Sequence, residues 1–91
     1  MSILDNIQNY YEPLVMEELA HLLDEQEHDR PDEDMLGDVV CVALNHLPPR
    51  YFRHEVDLIY YLSPTEAEEM RAKVRKAVED ALAYVTSNRR S

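Results

Sequence analysis

The sequence is poor in residues that several kinds of site require. A single cysteine, Cys41, cannot form a disulfide within the chain, so the fold does not depend on oxidation. A single glycine, Gly37, excludes a glycine-rich phosphate loop. No run of about 18 apolar residues is present, and no basic segment precedes an apolar one at the amino terminus. We therefore expect a cytoplasmic protein without a membrane partner.

Basic residues are scarce in the first part of the chain. Residues 1–38 hold 12 acidic residues and one basic residue, Arg30, whereas residues 39–91 hold 7 acidic and 8 basic residues. The net charge of −10 should repel duplex nucleic acid, so no such partner is expected. A small anion needs only a few local cations. Arg50 and Arg53 provide them in Val39–His54, a stretch without aspartate or glutamate.

Patterns typical of metal sites and catalytic sites are also missing. The four histidines and Cys41 form no paired ligand motif of the kind that zinc requires. The acidic residues lack the glycine and the ligand register of a calcium-binding loop. No serine, histidine and aspartate order stands out as a catalytic triad. We expect no metal, no cofactor, no catalytic residues and no enzymatic activity.

The length of 91 residues predicts a single domain over residues 1–91. A chain this short buries only roughly 60–65% of its unfolded surface. Because 45% of the residues are apolar, some apolar surface should remain for a partner. A second copy of the chain is the simplest partner, so we expect a homodimer.

Apolar spacing predicts an all-α fold with three main helices. The first helical segment is expected over residues 2–27, with Pro13 interrupting it. Either one helix is kinked at Pro13, or a short leading helix ends near Tyr10 and a second begins with Pro13 in its first turn. We favour the kinked helix because the apolar stripe keeps its phase across the proline.

The second helix is expected from Met35 to His46, after an acidic loop over residues 24–34. Asp32 or Asp34 can cap it. It is apolar nearly all round, so we expect it at the centre of the molecule with Cys41 as a small core side chain. The Pro48-Pro49 pair ends it.

Residues 50–62 are predicted to be mostly irregular, with extended character possible. The last helix has a clear start at Ser63-Pro64-Thr65-Glu66, where a capping serine precedes a proline and a glutamate. A frayed tail is expected over residues 87–91.

The segment after Pro49 is the candidate site. Arg50 and Arg53 can bind phosphate as forked donors, and Tyr51 can stack on a base. A second interpretation is about equally favoured: the arginines pair with acids of the first helix, and Tyr51 and Phe52 pack over the proline turn. From the residues alone, the chain is a helical domain with one candidate anion-binding turn.

Two stretches of the sequence resemble the late competence development protein ComFB family. The first is Val39–Tyr51 preceded by Asp38, with its unusual Ala-Leu-Asn-His-Leu-Pro-Pro-Arg-Tyr element. The second is Asn9–Val15, upstream in the first helical segment. The resemblance covers most of the chain in order and in length.

The resemblance implies a small, all-helical, homodimeric bacterial protein that binds a cyclic dinucleotide, most often cyclic di-GMP and in some cases cyclic di-AMP. It implies regulation of competence, motility or cell size through a protein effector that is not identified by the sequence. Some relatives carry a zinc-binding cysteine cluster where this chain has Asp32, Glu33 and Asp34, so no structural zinc is expected. The ligand-binding residues that the resemblance implies are Asn9, Glu12, Asn45, Pro48, Pro49, Arg50 and Tyr51. Arg53 and His54 are added to this set on chemistry alone.

A cyclic dinucleotide carries two negative charges and two flat bases, and the turn after Pro49 supplies both cations and rings. A homodimer would bring two such turns together through apolar faces of the first and last helices. The rival hypothesis is a dimeric protein–protein adaptor without nucleotide binding. In that case Arg50 and Arg53 should pair with Glu12 or Glu17 inside the fold.

Overall fold

The structure, a computed structural model, describes residues 3–25, 32–53 and 62–88, with only the backbone of Leu4 and Asn88. Three α-helices and a two-stranded antiparallel sheet make up most of these residues, which confirms the predicted all-α fold. In chain order the elements are a 3-10 helix Ile3–Asn6, β1 Gln8–Asn9, α1 Tyr11–Glu25, α2 Glu33–Asn45, β2 Tyr51–Phe52 and α3 Pro64–Asn88.

The hydrophobic core lies where α3 packs against both α1 and α2, which also contact each other. Its members are aliphatic apart from one tyrosine and one methionine, and they recur at helical spacing. The buried apolar residues are Tyr11, Val15, Leu19, Leu22, Leu23, Val39, Ala43, Leu47, Met70, Val74, Val78, Ala81, Leu82 and Val85.

The favoured kinked first helix is wrong, and the alternative with a break before Pro13 describes the chain better. The α-helix begins at Tyr11, so Pro13 lies in its first turn, where a backbone amide has no partner within the helix. The preceding residues form the short 3-10 helix and β1 instead. Ile3 is 83% exposed, so its agreement in phase with the apolar stripe does not reflect burial in the core.

The second helix starts earlier and lies further from the centre than predicted. The carboxylate Oδ1 of Asp32 accepts a hydrogen bond from the Met35 amide at 2.8 Å and caps a helix that begins at Glu33. Within α2 only Val39 and Ala43 are buried, and Cys41 is exposed rather than in the core. All three helices contact one another, and α3 has the most extensive contacts with the other two. An apolar pattern on all sides of a helix does not show what covers each side.

The predicted cap of the last helix is confirmed. The Ser63 hydroxyl accepts a hydrogen bond from the Glu66 amide at 3.1 Å, and the Glu66 carboxylate accepts one from the Ser63 amide at 3.5 Å. The helix continues to Asn88, so Ser87 and Asn88 belong to it rather than to a tail. The acidic loop is also shorter than expected, because residues 24–25 and 33–34 are helical. None of the helices described is both long and apolar enough to span a membrane.

Candidate functional site

The backbone of the turn after Pro49 is held in place by Asn9. The side-chain oxygen Oδ1 of Asn9 accepts hydrogen bonds from the Arg50 amide at 2.9 Å and from the Tyr11 amide at 3.3 Å. The Arg50 carbonyl in turn accepts a hydrogen bond from the Tyr10 amide at 2.6 Å. Asn9 is only 9% exposed, and its carboxamide oxygen is already used by the protein. It therefore positions the turn by joining it to the start of α1.

The two short strands give the rings beside Arg50 different surroundings. In the antiparallel pair, Gln8 lies opposite Phe52 and Asn9 lies opposite Tyr51. The Phe52 ring is half-buried and meets Tyr10 edge to face, with ring centroids 6.1 Å apart. The Tyr51 side is open, and this residue is 62% exposed. Phe52 thus packs over the turn, as one alternative held, while Tyr51 remains accessible for stacking.

The guanidinium group of Arg50 lies at the surface and faces α3. Its Nη2 atom is 3.8 Å from Glu66 Oε2, and the two side chains are 44% and 46% exposed. An ion pair this long and this exposed contributes little to stability. The adaptor hypothesis expected Glu12 or Glu17 as the partner, and the structure places Glu66 there instead. Arg53 is exposed and makes no ion pair with any residue in the described part of the chain.

An open groove runs between the carboxyl end of α2 and the middle of α3. It has a volume of about 910 Å³, within the roughly 300–1,000 Å³ typical of small-molecule sites. Asn45 and Pro48, two of the motif residues, line one wall. Lys73, Lys76 and Tyr84 of α3 line the other.

The sequence interpretation missed these three α3 residues. Lys73, Lys76 and Tyr84 lie outside both motif stretches and have no expected role in the sequence analysis. A signal was nevertheless present in the spacing. Glu66, Lys73 and Tyr84 are separated by 7 and 11 residues, which places them on one face of an α-helix. The face that meets Arg50 through Glu66 therefore continues into the groove.

The nine predicted site residues divide into five groups. The strand pair and the Asn9 hydrogen bonds bring Asn9, Arg50 and Tyr51 together, while Asn45 and Pro48 line the groove. Pro49 and Arg53 are exposed next to the turn. Glu12 is exposed in the first turn of α1, and no hydrogen bond joins it to Arg50. His54 lies outside the described residues.

No three histidine, cysteine, aspartate or glutamate side chains come together as a metal site in residues 3–25, 32–53 and 62–88. Asp32 caps α2, and Glu33 and Asp34 are exposed in its first turn. Carboxylates at a helix amino terminus are favoured by the helix dipole, which explains these residues without a ligand.

Comparison with known proteins gives one match. The family model described as late competence development protein ComFB matches residues 8–89, which include both β1 with its Asn9 and the Pro48-Pro49-Arg50-Tyr51 turn. Neither curated proteins nor solved structures match the chain.

Proposed function

This chain belongs to the ComFB family of late competence development proteins, and we propose that it is a non-enzymatic cytoplasmic regulator that binds a cyclic dinucleotide, with cyclic di-GMP as the first candidate. The observation that carries the proposal is the Arg50 turn. Its backbone is fixed from the inside by Asn9, while the Arg50 side chain and the Tyr51 ring are turned to solvent.

The fixed backbone favours binding because little conformational freedom is left to lose. Both the amide and the carbonyl of Arg50 are hydrogen-bonded to the segment that starts α1. A ligand that contacts Arg50 and Tyr51 therefore orders side chains but not the main chain. Preorganisation of this kind raises affinity by lowering the entropic cost of association.

The Arg50 side chain can exchange its present partner for a phosphate. Its contact with Glu66 is long and half-exposed, so breaking it costs little. A phosphate oxygen pair would accept forked hydrogen bonds from the guanidinium group, a stronger arrangement than the existing one. The stretch from Val39 to His54 contains no acidic residue that would repel the ligand.

Titration calorimetry with cyclic di-GMP and with cyclic di-AMP tests the proposal. We expect Arg50→Ala to weaken binding roughly tenfold or more, because a charged hydrogen bond is lost. Glu66→Gln is the matched variant: it breaks the same ion pair but leaves the arginine available, so affinity should be kept or increased. No binding of either nucleotide by the wild type would defeat the proposal, as would equal losses in both variants. Chromatography after incubation should return the nucleotide intact.

A protein–protein adaptor remains the second candidate, favoured by large apolar side chains at the surface. Met16 is 56% exposed and Tyr84 is 60% exposed. If the Arg50–Glu66 pair serves only the fold, Arg50→Ala and Glu66→Gln should lower the melting temperature equally, and neither nucleotide should raise it. A nucleotide-dependent increase in melting temperature that is lost only in Arg50→Ala excludes this alternative.

We also propose that the protein is a homodimer, and that it pairs through α2 rather than through the first and last helices as expected from the sequence. Several apolar side chains of this helix contact the core and yet remain only partly buried, among them Leu36, Val40 and Leu44. The exposed Cys41 provides a probe on the same helix. Sedimentation should give twice the chain mass, and the reaction of Cys41 with a thiol reagent should slow as the protein concentration rises. A monomer at all concentrations rejects the pairing.

A further inference from the structure

The groove beside Pro48 combines an apolar floor with two cations. Leu47 and Ala81 are buried at its base, and Ala77 is half-buried. Lys73 and Lys76 stand on its rim, and they are the only lysines in the sequence. The Tyr84 ring, 60% exposed, lies at the far end. An apolar floor with cations and a ring at its edges is suited to a flat ring attached to an anionic group.

The charges on the groove wall favour an anion. Lys73 makes no ion pair with any described residue. Lys76 is paired only with Asp80 in the next turn of the same helix, at 3.2 Å, with both side chains mostly exposed. Pairs of this type contribute only a few tenths of a kcal/mol, so Lys76 can leave Asp80 for a phosphate. Asp80 is the acidic residue that also lines the groove.

The groove is continuous with the Arg50 turn along α3. Glu66, which faces Arg50, lies on the same side of the helix as Lys73, about 10 Å away along the axis. Tyr84 lies about 16 Å beyond Lys73 on that side. Pro48 joins the two regions, because it lines the groove and stands two residues before Arg50.

From this arrangement we infer that the groove is the second half of the ligand site. One nucleotide unit of the cyclic dinucleotide lies at Arg50 and Tyr51. The other places its base over Leu47, Ala77 and Ala81 and its phosphate between Lys73 and Lys76. This inference rests on the function proposed above and adds the residues that bind the other unit. It assigns a binding role to lysines on α3 that lie outside both motif stretches.

The first experiment compares cyclic di-GMP affinities by calorimetry. Lys73→Ala and Lys76→Ala should each weaken binding several-fold, and the double variant roughly tenfold or more. Arg71→Ala is the matched control, since it removes a positive charge from α3 on the side that faces Leu14 and Glu17, and its affinity should equal that of the wild type. If the wild type does not bind, the proposed function and this inference both fail. If Arg50→Ala weakens binding but the lysine variants do not, only this inference fails.

The second experiment uses the fact that only two side-chain amines exist. Acetylation with an amine-specific ester, followed by mass spectrometry, reports on Lys73 and Lys76, with the chain's terminal amine as internal reference. Saturating cyclic di-GMP should slow modification of both lysines several-fold relative to the reference. Unchanged rates under conditions where calorimetry detects binding would overturn the inference. Protection that rises with protein concentration in the absence of nucleotide would also overturn it, because a second copy would then cover the groove.

Discussion

The buried residues of α3 form a stripe along the helix, and the cations at its two edges have different partners. The stripe consists of Met70, Val74, Val78, Ala81, Leu82 and Val85. At one edge Arg75 contacts three carboxylates, those of Glu18 at 3.2 Å, Glu25 at 3.5 Å and Glu79 at 3.3 Å. At the other edge Lys73, two residues away, has no ion-pair partner in the described part of the chain. Arg75 joins α3 to α1, whereas the lysine edge borders an open groove. The partners of each cation, more than its position in the sequence, distinguish the structural role of Arg75 from the binding role proposed for Lys73.

The buried stripe shared by both edges should be the most sensitive part of the molecule. Val78 is fully buried, and Val78→Asp places an unpaired charge among apolar side chains. We expect a loss of more than about 3 kcal/mol in the free energy of unfolding, enough to unfold much of a domain this small. Circular dichroism during heating measures it. Ala72→Asp, an exposed site on the same helix, is the control, and similar melting curves for both variants would contradict the assignment of the stripe.

The stability of the Arg50 turn should depend on the buried side-chain carboxamide of Asn9. Asn9→Ala leaves the amides of Tyr11 and Arg50 without their acceptor, which should cost about 2–3 kcal/mol in unfolding free energy. Denaturant titration measures the loss. Gln8→Ala, at an exposed position of the same strand, should cost less than about 0.5 kcal/mol. Equal stabilities of the two variants would mean that Asn9 does not hold the turn.

Single substitutions at the two edges of α3 should have opposite effects on stability and on binding. Arg75→Ala removes three ion pairs of a half-exposed guanidinium group and should lower the unfolding free energy by about 1 kcal/mol without changing nucleotide affinity. Lys73→Ala should do the opposite, with unchanged stability and weaker binding. Thermal melting and calorimetry on both variants separate the two effects. If Arg75→Ala weakens binding as much as Lys73→Ala does, the distinction between the edges is wrong.

The smallest effect is expected in α2, away from both edges. Gly37 lies in this helix, and an added Cβ would meet no atom within 4 Å. Gly37→Ala should therefore stabilise the protein by about 0.5–1 kcal/mol through helix propensity. Its nucleotide affinity should be that of the wild type, measured by the same calorimetry. Ala43→Gly, at a buried position of the same helix, should destabilise it. A destabilised Gly37→Ala would show that Gly37 lies within the α2 surface that we propose pairs in the dimer.

Local signals explain which parts of the fold the sequence predicts well. The Ser63 cap and the Pro48-Pro49 stop act within a few residues, so their effects can be read without tertiary information. The interruption at Pro13 is local too, but the phase of the apolar stripe obscured it, since Ile3 fits the period and is exposed. Apolar periodicity reports which residues can be buried and does not report what covers them.

The candidate site was only partly predictable because its proposed parts come from distant segments. The motif pointed to Asn9 and Arg50, but only the fold shows that Asn9 acts through its side-chain oxygen on the Arg50 backbone, 41 residues away. Lys73 and Lys76 lie on another helix and carry no motif of their own. The sequence pattern did not reveal the partial exposure of α2 either. A helix that is apolar on all sides is suited both to a protein interior and to a surface between two copies.

The single oxygen of Asn9 that serves both Tyr11 and Arg50 has a kinetic consequence. A movement of the Asn9 side chain releases both amides at once, so the Tyr11 and Arg50 amides should exchange their hydrogens for deuterium together. Ligand binding at the turn would then slow hydrogen exchange at the amino end of α1, so exchange in the first turn of that helix would report on binding at Arg50.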